Sequence, residues 1–206
     1  MHIEFIDLLR CPRPHEETWL VAAFYRMNGR MVLEGKLGCH VCGAEYPIRD
    51  GIAVFREQER AAPFGNRRDS EAPDTAMCIV VFLDLARPGA LALLTGDCAN
   101  ASDAVAALTS SRVIALNAAL RTSDEGVLQI ESDPPLPLAN HSLDGIALAP
   151  PDSTGEMMEE ASRLLRPRGR LLAASGLQLS GKFSELARDA DYVVAEYIGE
   201  LVSIRR

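Results

Sequence analysis

Aromatic residues are scarce in this chain, 5% of 206 with a single Trp, so the core must be assembled from Leu, Val, Ile and Ala. Long apolar runs are missing too. None reaches the ~18 residues of a membrane-crossing helix, so no membrane span is expected. The opening stretch MHIEFIDLLRCPRPH sets acids among its apolar residues and lacks the uninterrupted apolar segment of a secretory leader, which makes the cytoplasm the expected location. Basic charge is in deficit. There are 21 Lys and Arg against 29 Asp and Glu, a net charge of −8, and that balance argues against a broad nucleic-acid surface. An even cysteine count is also lacking. The five cysteines, Cys11, Cys39, Cys42, Cys78 and Cys98, are unevenly spaced and do not suggest a disulfide framework. The only Gly-Lys pairs, Gly35-Lys36 and Gly181-Lys182, lie outside any phosphate-cradling loop.

What is present is an ordinary globular composition, 48% apolar and 24% charged, with no internal repeat and no low-complexity tract. Its character changes along the chain. Residues 1–57 are nearly balanced in charge, residues 58–73 (QERAAPFGNRRDSEAP) read as a polar linker, and residues 74–206 carry most of the acidity. In the first part, 3–9 has the spacing of a short helix. The runs at 18–27 and 30–39 flank Asn28-Gly29 as the two arms of a hairpin. In the last part, helices and strands alternate. Helices are expected at 74–85 with Asp74 as cap, at 102–110 with Ser102 as cap, and at 153–166. The last of these places Met157, Met158, Ala161, Leu164 and Leu165 on one face. Strands are expected at 90–96, 112–118, 126–132, 143–149 and 170–176, then a short helix at 182–190 and two final strands, YVVAEY and LVSIRR. The fold class is α/β: a small α+β N-terminal domain, then a compact Rossmann-like domain with a mostly parallel sheet covered on both faces.

The segment EYPIRDGIAVF (45–55) reads physically as strand, turn and strand. Pro47 stiffens the entry, Asp50-Gly51 makes the turn, and Ile52, Val54 and Phe55 return to the core. Together with LLRCP at 8–12 and CHVC at 39–42, it resembles the small zinc-ribbon-like activator subunits of tRNA and protein methyltransferases and their bacterial stand-alone relatives. The matching residues are Leu8, Leu9, Cys11, Pro12, Cys39, Cys42, Tyr46, Pro47, Ile48, Asp50, Gly51 and Ile52. One departure is chemical: Pro14 stands where the family has its second cysteine, and Pro cannot ligate a metal. A tetrahedral zinc wants four N or S ligands. Cys11, Cys39 and Cys42 supply three. His15, one residue later on a longer side chain, offers the fourth; His40, inside the turn between two ligands, is the weaker candidate. The resemblance thus implies a structural zinc on Cys11, His15, Cys39 and Cys42. The other reading is a zinc-free β-domain whose cysteines are small buried residues.

From about residue 74 onward, the order ALALLTGD, RVIALN, Asp133 before PLPL, SLDGIAL, a helix and LLRPRGRLL resembles the class I S-adenosylmethionine-dependent methyltransferases. The matches are Gly96, Asp133, Leu136, Pro137, Ser142, Leu143, Asp144, Glu160, Arg163, Leu164, Leu165, Pro167, Gly169 and Arg170. The resemblance implies that Gly96, Asn117 and Asp133 occupy the cofactor-binding positions. A Gly-rich turn admits the cofactor to the backbone, and an acid at the end of the second strand takes the ribose hydroxyls. Here the turn reads Gly96-Asp97-Cys98-Ala99-Asn100, with one glycine left, and Leu94 replaces the acid two positions earlier. Asn117 replaces the ribose-binding carboxylate, and Ala149-Pro150-Pro151-Asp152 has lost the outer positions of the motif found in amino-methylating relatives. Asp133 reads equally as a turn residue before a Pro pair, Cys98 as a small turn residue, and His141 as a solvated loop residue.

Two functional expectations follow. The first is a non-catalytic protein of methyltransferase fold, with no catalytic residue, that binds a protein partner or a copy of itself as a scaffold subunit. The second is a divergent active S-adenosylmethionine-dependent methyltransferase of unknown substrate.

Overall fold

The computed structural model describes residues 1–56, 72–121 and 124–199. Turn chemistry sets the first unit. A 3₁₀ turn at Ile3–Leu8 leads into strands β1 (Leu20–Asn28) and β2 (Met31–Cys39), joined by a hairpin turn in which Gly29 takes φ +58°. Strands β3 (Glu45–Arg49) and β4 (Ile52–Val54) follow, and their two-residue turn has positive φ at both Asp50 (48°) and Gly51 (82°). These four strands form an antiparallel meander.

The second unit alternates: α1 (Ala72–Phe82), β5 (Leu91–Thr95), α2 (Gly96–Ala99), α3 (Ser102–Thr109), β6 (Arg112–Leu116), β7 (Val127–Glu131), β8 (Leu143–Ala147), a 3₁₀ turn at Pro150–Asp152, α4 (Gly155–Leu164), β9 (Leu165–Ala174), β10 (Phe183–Arg188) and β11 (Tyr192–Tyr197). Strands β7, β6, β5, β8 and β9 are parallel neighbours, and β11 and β10 close that side antiparallel. Both units share one sheet of eleven strands, ordered β1-β2-β3-β4-β7-β6-β5-β8-β9-β11-β10. The join is the parallel pairing of β4 with β7, Ala53 opposite Ile130 and Val54 opposite Glu131.

Burial explains the strand composition. Every residue of β5 and β8 is buried, with Leu91 and Leu93 turned to one core and Ala92 and Leu94 to the other. One core lies under α1 and α3, where Ile79, Leu83 and Val105 are fully buried. The opposite core packs Met157, Met158, Ala161 and Leu164 of α4, and it continues without a break into Phe5, Leu9, Val32, Leu37 and Ile48 of the first unit. No helix follows β7 on that side. The segment 132–142 is irregular, and the N-terminal turn lies against it through the Leu9–Leu138 bridge and the hydrogen bond from Arg10 N–H to the Pro137 carbonyl.

Several expectations need correction. Residues 182–190 contribute strand β10, not a helix. Only Phe183 is buried there, and pairing with β11 overrides the helical propensity of Glu185, Leu186, Ala187 and Arg188. Helix α1 starts at Ala72, so Asp74 lies in its first turn instead of capping it. Ser102 is the first residue of α3, and its hydroxyl donates to the Ala99 carbonyl at 2.6 Å. Helix α4 is capped by Thr154, whose side chain accepts from the Met157 N–H. The final strand LVSIRR and residues 58–71 of the expected linker lie outside the described residues. Among the described residues, no helix is long and apolar enough to cross a membrane.

Candidate functional site

The first site is built by the ends of three segments. Cys11 follows the N-terminal turn, His15 sits in the loop before β1, Cys39 ends β2, and Cys42 lies in the tight connection to β3. Gly43, at φ +70°, returns its N–H to the Cys39 carbonyl at 2.9 Å and closes that connection. The four donor atoms, three Sγ and one His nitrogen, all lie within 4.8 Å of one another. Cys11 Sγ is 3.7 Å from Cys42 Sγ, and Cys39 Sγ is 3.4 Å from His15 Nε2. Zn–S and Zn–N bonds of ~2.3 and ~2.0 Å require donor spacings of this size along the edges of a tetrahedron.

The surroundings suit anionic sulfur. Burial opposes a thiolate at Cys39, but the backbone N–H groups of Cys42 and Val41, with the side chains of Cys42 and Cys11, outweigh it and pull its pKa down to about 6. Burial pushes the Cys11 thiol up, partly offset by the Tyr46 hydroxyl at 3.3 Å. His15 Nδ1 faces the Glu16 carbonyl at 2.7 Å, so it carries a proton there, and Nε2 is the nitrogen turned toward the cysteines. The Glu16 carbonyl is also the largest of the contacts that raise the His15 pKa. His40 turns away to Thr18 Oγ1 at 3.4 Å, so His15 is the fourth member. The residues present therefore fit a structural metal.

The second site is the carboxyl edge of the parallel strands, where β5 has β6 on one side and β8 on the other. Ligands of open α/β sheets bind in such a crevice. Gly96 and Asn117 follow the register pair Thr95–Leu116 and so stand side by side at this edge. The chain does not form an open glycine-rich turn here. It enters α2 at once, with Gly96 at φ +50° and Ala99 buried. A Cβ on Gly96 would lie 2.7 Å from the Ala149 Cβ and 2.9 Å from Asp152 Oδ2, so the turn after β8 fills the space beside it. Burial, with Asp97 and Asp152 adding to it, pushes the Cys98 thiol up to about 11, which removes it as a nucleophile at neutral pH.

The Asn117 side chain is fully engaged. Its Nδ2 donates to the Ser132 carbonyl at 2.8 Å, and its Oδ1 accepts from the Ser132 N–H at 3.1 Å and from Arg56 Nη2. Arg56, the last described residue of the first unit, thus reaches across the seam, with its Nε 3.4 Å from Glu131 Oε2. Asp133, next to Ser132, is exposed and lines a cavity of about 470 Å³ between the units, where Arg13, Tyr46, Phe55 and Arg56 form the facing wall. Asn117 is thus bonded to the residue before Asp133, whereas Gly96 is not among the residues lining the cavity that Asp133 lines. Sequence reasoning missed Arg56. It lies just past the YPI-x-DGI block, and nothing in its local pattern distinguishes a buried arginine from a linker residue. His141, read as a solvated loop residue, sits at φ 49° with Nδ1 2.9 Å from the Leu165 carbonyl and its ring 6.1 Å from that of Tyr197.

No family model and no curated protein matches the chain. Solved structures resemble it in shape. A protein from Galdieria sulphuraria described as a sarcosine dimethylglycine methyltransferase is 13% identical, with a TM-score of 0.40 over 50% of this chain and 46% of that one. A Burkholderia thailandensis 1,6-didemethyltoxoflavin N1-methyltransferase is 18% identical, with a TM-score of 0.38 over 64% of this chain and 63% of that one. A Methanococcus maripaludis protein described as an S-adenosyl-L-methionine-dependent methyltransferase is 11% identical, with a TM-score of 0.47 over 73% of this chain and all of that one. This chain thus spans 46% and 63% of the lengths of the Galdieria and Burkholderia proteins. At these identities and scores, the likeness is one of form alone.

Proposed function

We propose that the chain is a methyltransferase-fold protein whose S-adenosylmethionine site has been dismantled, and that it serves as a non-catalytic, protein-binding subunit. The observation that carries this reading is the closed space at Gly96. A Cβ on Gly96 would meet the Ala149 Cβ and the Asp152 carboxylate, so the turn after β8 takes up the space beside that backbone. Asn117 supports it, because its amide is spent on Ser132 and Arg56 and offers no acceptor pair for a diol. The first unit is of activator type on this reading, docked in cis by extending the sheet through β4 and β7. Zinc held by Cys11, His15, Cys39 and Cys42 would cross-link the N-terminal turn to the β2–β3 connection and stabilise the unit.

A surface for self-association is available at the free edge of the sheet. Strand β1 carries a single charge, Arg26, and exposes Val21 and Tyr25, with the exposed Trp19 just before it, whereas the opposite edge, β10, carries Glu185 and Arg188. A largely apolar edge without proline is one that accepts another strand, here that of a second copy.

Calorimetry with S-adenosylmethionine at millimolar concentration tests the first half of the proposal. No heat and no thermal shift are expected, whereas ligand at 100 times Kd would add ~2.7 kcal/mol of stability. A micromolar Kd would restore the divergent-enzyme reading. Elemental analysis tests the second half: one zinc per chain is expected, lost in Cys39→Ser together with much of the unfolding cooperativity of the first unit.

A further inference from the structure

The cavity at the seam has no part in the reading above. At about 470 Å³ it is of the size that takes small molecules, and it lies between two units, just past the carboxyl end of β7. Its walls are stiff. Pro12 and Pro47 come from the first unit and Pro134 and Pro135 from the second, so little backbone freedom is lost when a ligand enters. Phe55 and Tyr46 form an apolar wall, their rings 4.7 Å apart and tilted by 37°.

Charge decides what the cavity takes. Four lining residues carry charge, together with the neighbour Glu131. Glu45 is engaged by Lys36. Arg56 is held by Glu131 and Asn117, yet its side chain is only 7% exposed and its buried Nε makes no hydrogen bond. Arg13 and Asp133 are left. Both are exposed, and neither side chain has an ion-pair or hydrogen-bond partner among the described residues. One uncommitted cation and one uncommitted carboxylate therefore face the same space, with unspent donor capacity at the wall. A ligand bearing only negative charge would leave Asp133 repelling it, and one bearing only positive charge would leave Arg13 and Arg56 doing so. A zwitterion satisfies both sides. A carboxylate suits the planar donor array of guanidinium groups, and an ammonium suits a single carboxylate.

We propose that this cavity binds a free amino acid with an apolar side chain, its carboxylate on Arg13 beside Arg56, its ammonium on Asp133, and its side chain against Tyr46, Phe55 and the prolines. The site lies apart from Gly96 but includes Asp133, one of the positions that the resemblance assigns to the cofactor.

Thermal shift and calorimetry on the full chain, with its metal content measured, test this using phenylalanine, tryptophan, leucine and methionine. Phenylacetate lacks the ammonium and phenethylamine lacks the carboxylate, so they serve as the controls for phenylalanine. At least one amino acid should bind, and phenylalanine should bind at least tenfold more tightly than either control. Arg13→Ala and Asp133→Asn should each weaken binding at least tenfold while leaving the unfolding temperature and zinc content unchanged. No binding by any of the four at 10 mM, equal binding of phenylacetate, or unchanged affinity in both variants would overturn the proposal. Should Arg13→Ala lose metal, amide shift mapping of the unmodified protein decides. Perturbations centred on Phe55 and Asp133 support the site, and perturbations elsewhere refute it.

Discussion

Asp144 shows how much one side chain holds at the base of the sheet. It is 8% exposed, accepts the Leu91 N–H at 2.9 Å, and faces Arg166 at 3.3 Å and Arg87 at 3.6 Å. Asp144→Ala would leave a buried N–H unpaired and is expected to cost about 1–3 kcal/mol in urea unfolding, with Asp144→Asn recovering part of it. Gly51 is a second fixed point. Its φ is +82°, and a Cβ would approach the Met1 nitrogen to 2.8 Å, so Gly51→Val should destabilise the fold by about 1–3 kcal/mol. Cys98 gives a pH signature. Because its folded pKa is about 11 against the ordinary thiol value of 9.0, the unfolded chain releases this proton first as pH rises. The stability it contributes is complete below pH 9 and declines between pH 9 and about 11, and a Cys98→Ala variant should lose that slope. At pH 8, Cys98 should also resist alkylation under conditions that label the exposed Cys78.

Helix α4 is where motif and structure diverge in meaning. The Glu160-x-x-Arg163 pattern that supported the methyltransferase resemblance serves to clasp the segment after β7. Glu160 Oε2 accepts the Leu136 N–H at 2.7 Å, and Arg163 donates to the carbonyls of Leu136 and Leu138 at 2.9 and 2.8 Å. Glu160→Ala removes one side of a half-buried ion pair and strands that N–H, at an expected cost of about 2–4 kcal/mol. Faster amide exchange should follow at 136–140 and, through Leu9 and Arg10, at the N-terminal turn. The strands of both units were legible from short apolar runs and from Asn28-Gly29 and Asp50-Gly51, because turn geometry and burial act locally. β10 was not, since Glu185, Leu186 and Ala187 favour a helix until β11 offers its backbone. The cluster of Cys11, His15, Cys39 and Cys42 was implied by the family resemblance of LLRCP and CHVC together with the reach of His15, whereas the engagement of Asn117 by Arg56 was not legible, because it joins residues 61 positions apart.

At the scale of the molecule, the seam is what makes two units one body. It comprises the β4–β7 pairing, the Phe55 N–H on the Glu131 carbonyl at 2.7 Å, Arg56, and the Leu9–Leu138 bridge. A protease site inserted between residues 57 and 71, then cut, should yield two pieces that co-elute in gel filtration. Arg56→Ala should separate them at lower urea than the parent. This arrangement also bears on exchange of parts. A guanidinium sheltered by one half of the chain is neutralised by Glu131 and Asn117 of the other, so a chimera that takes either half from a protein without these partners would strand a charge in its new host and should unfold at lower urea than the parent.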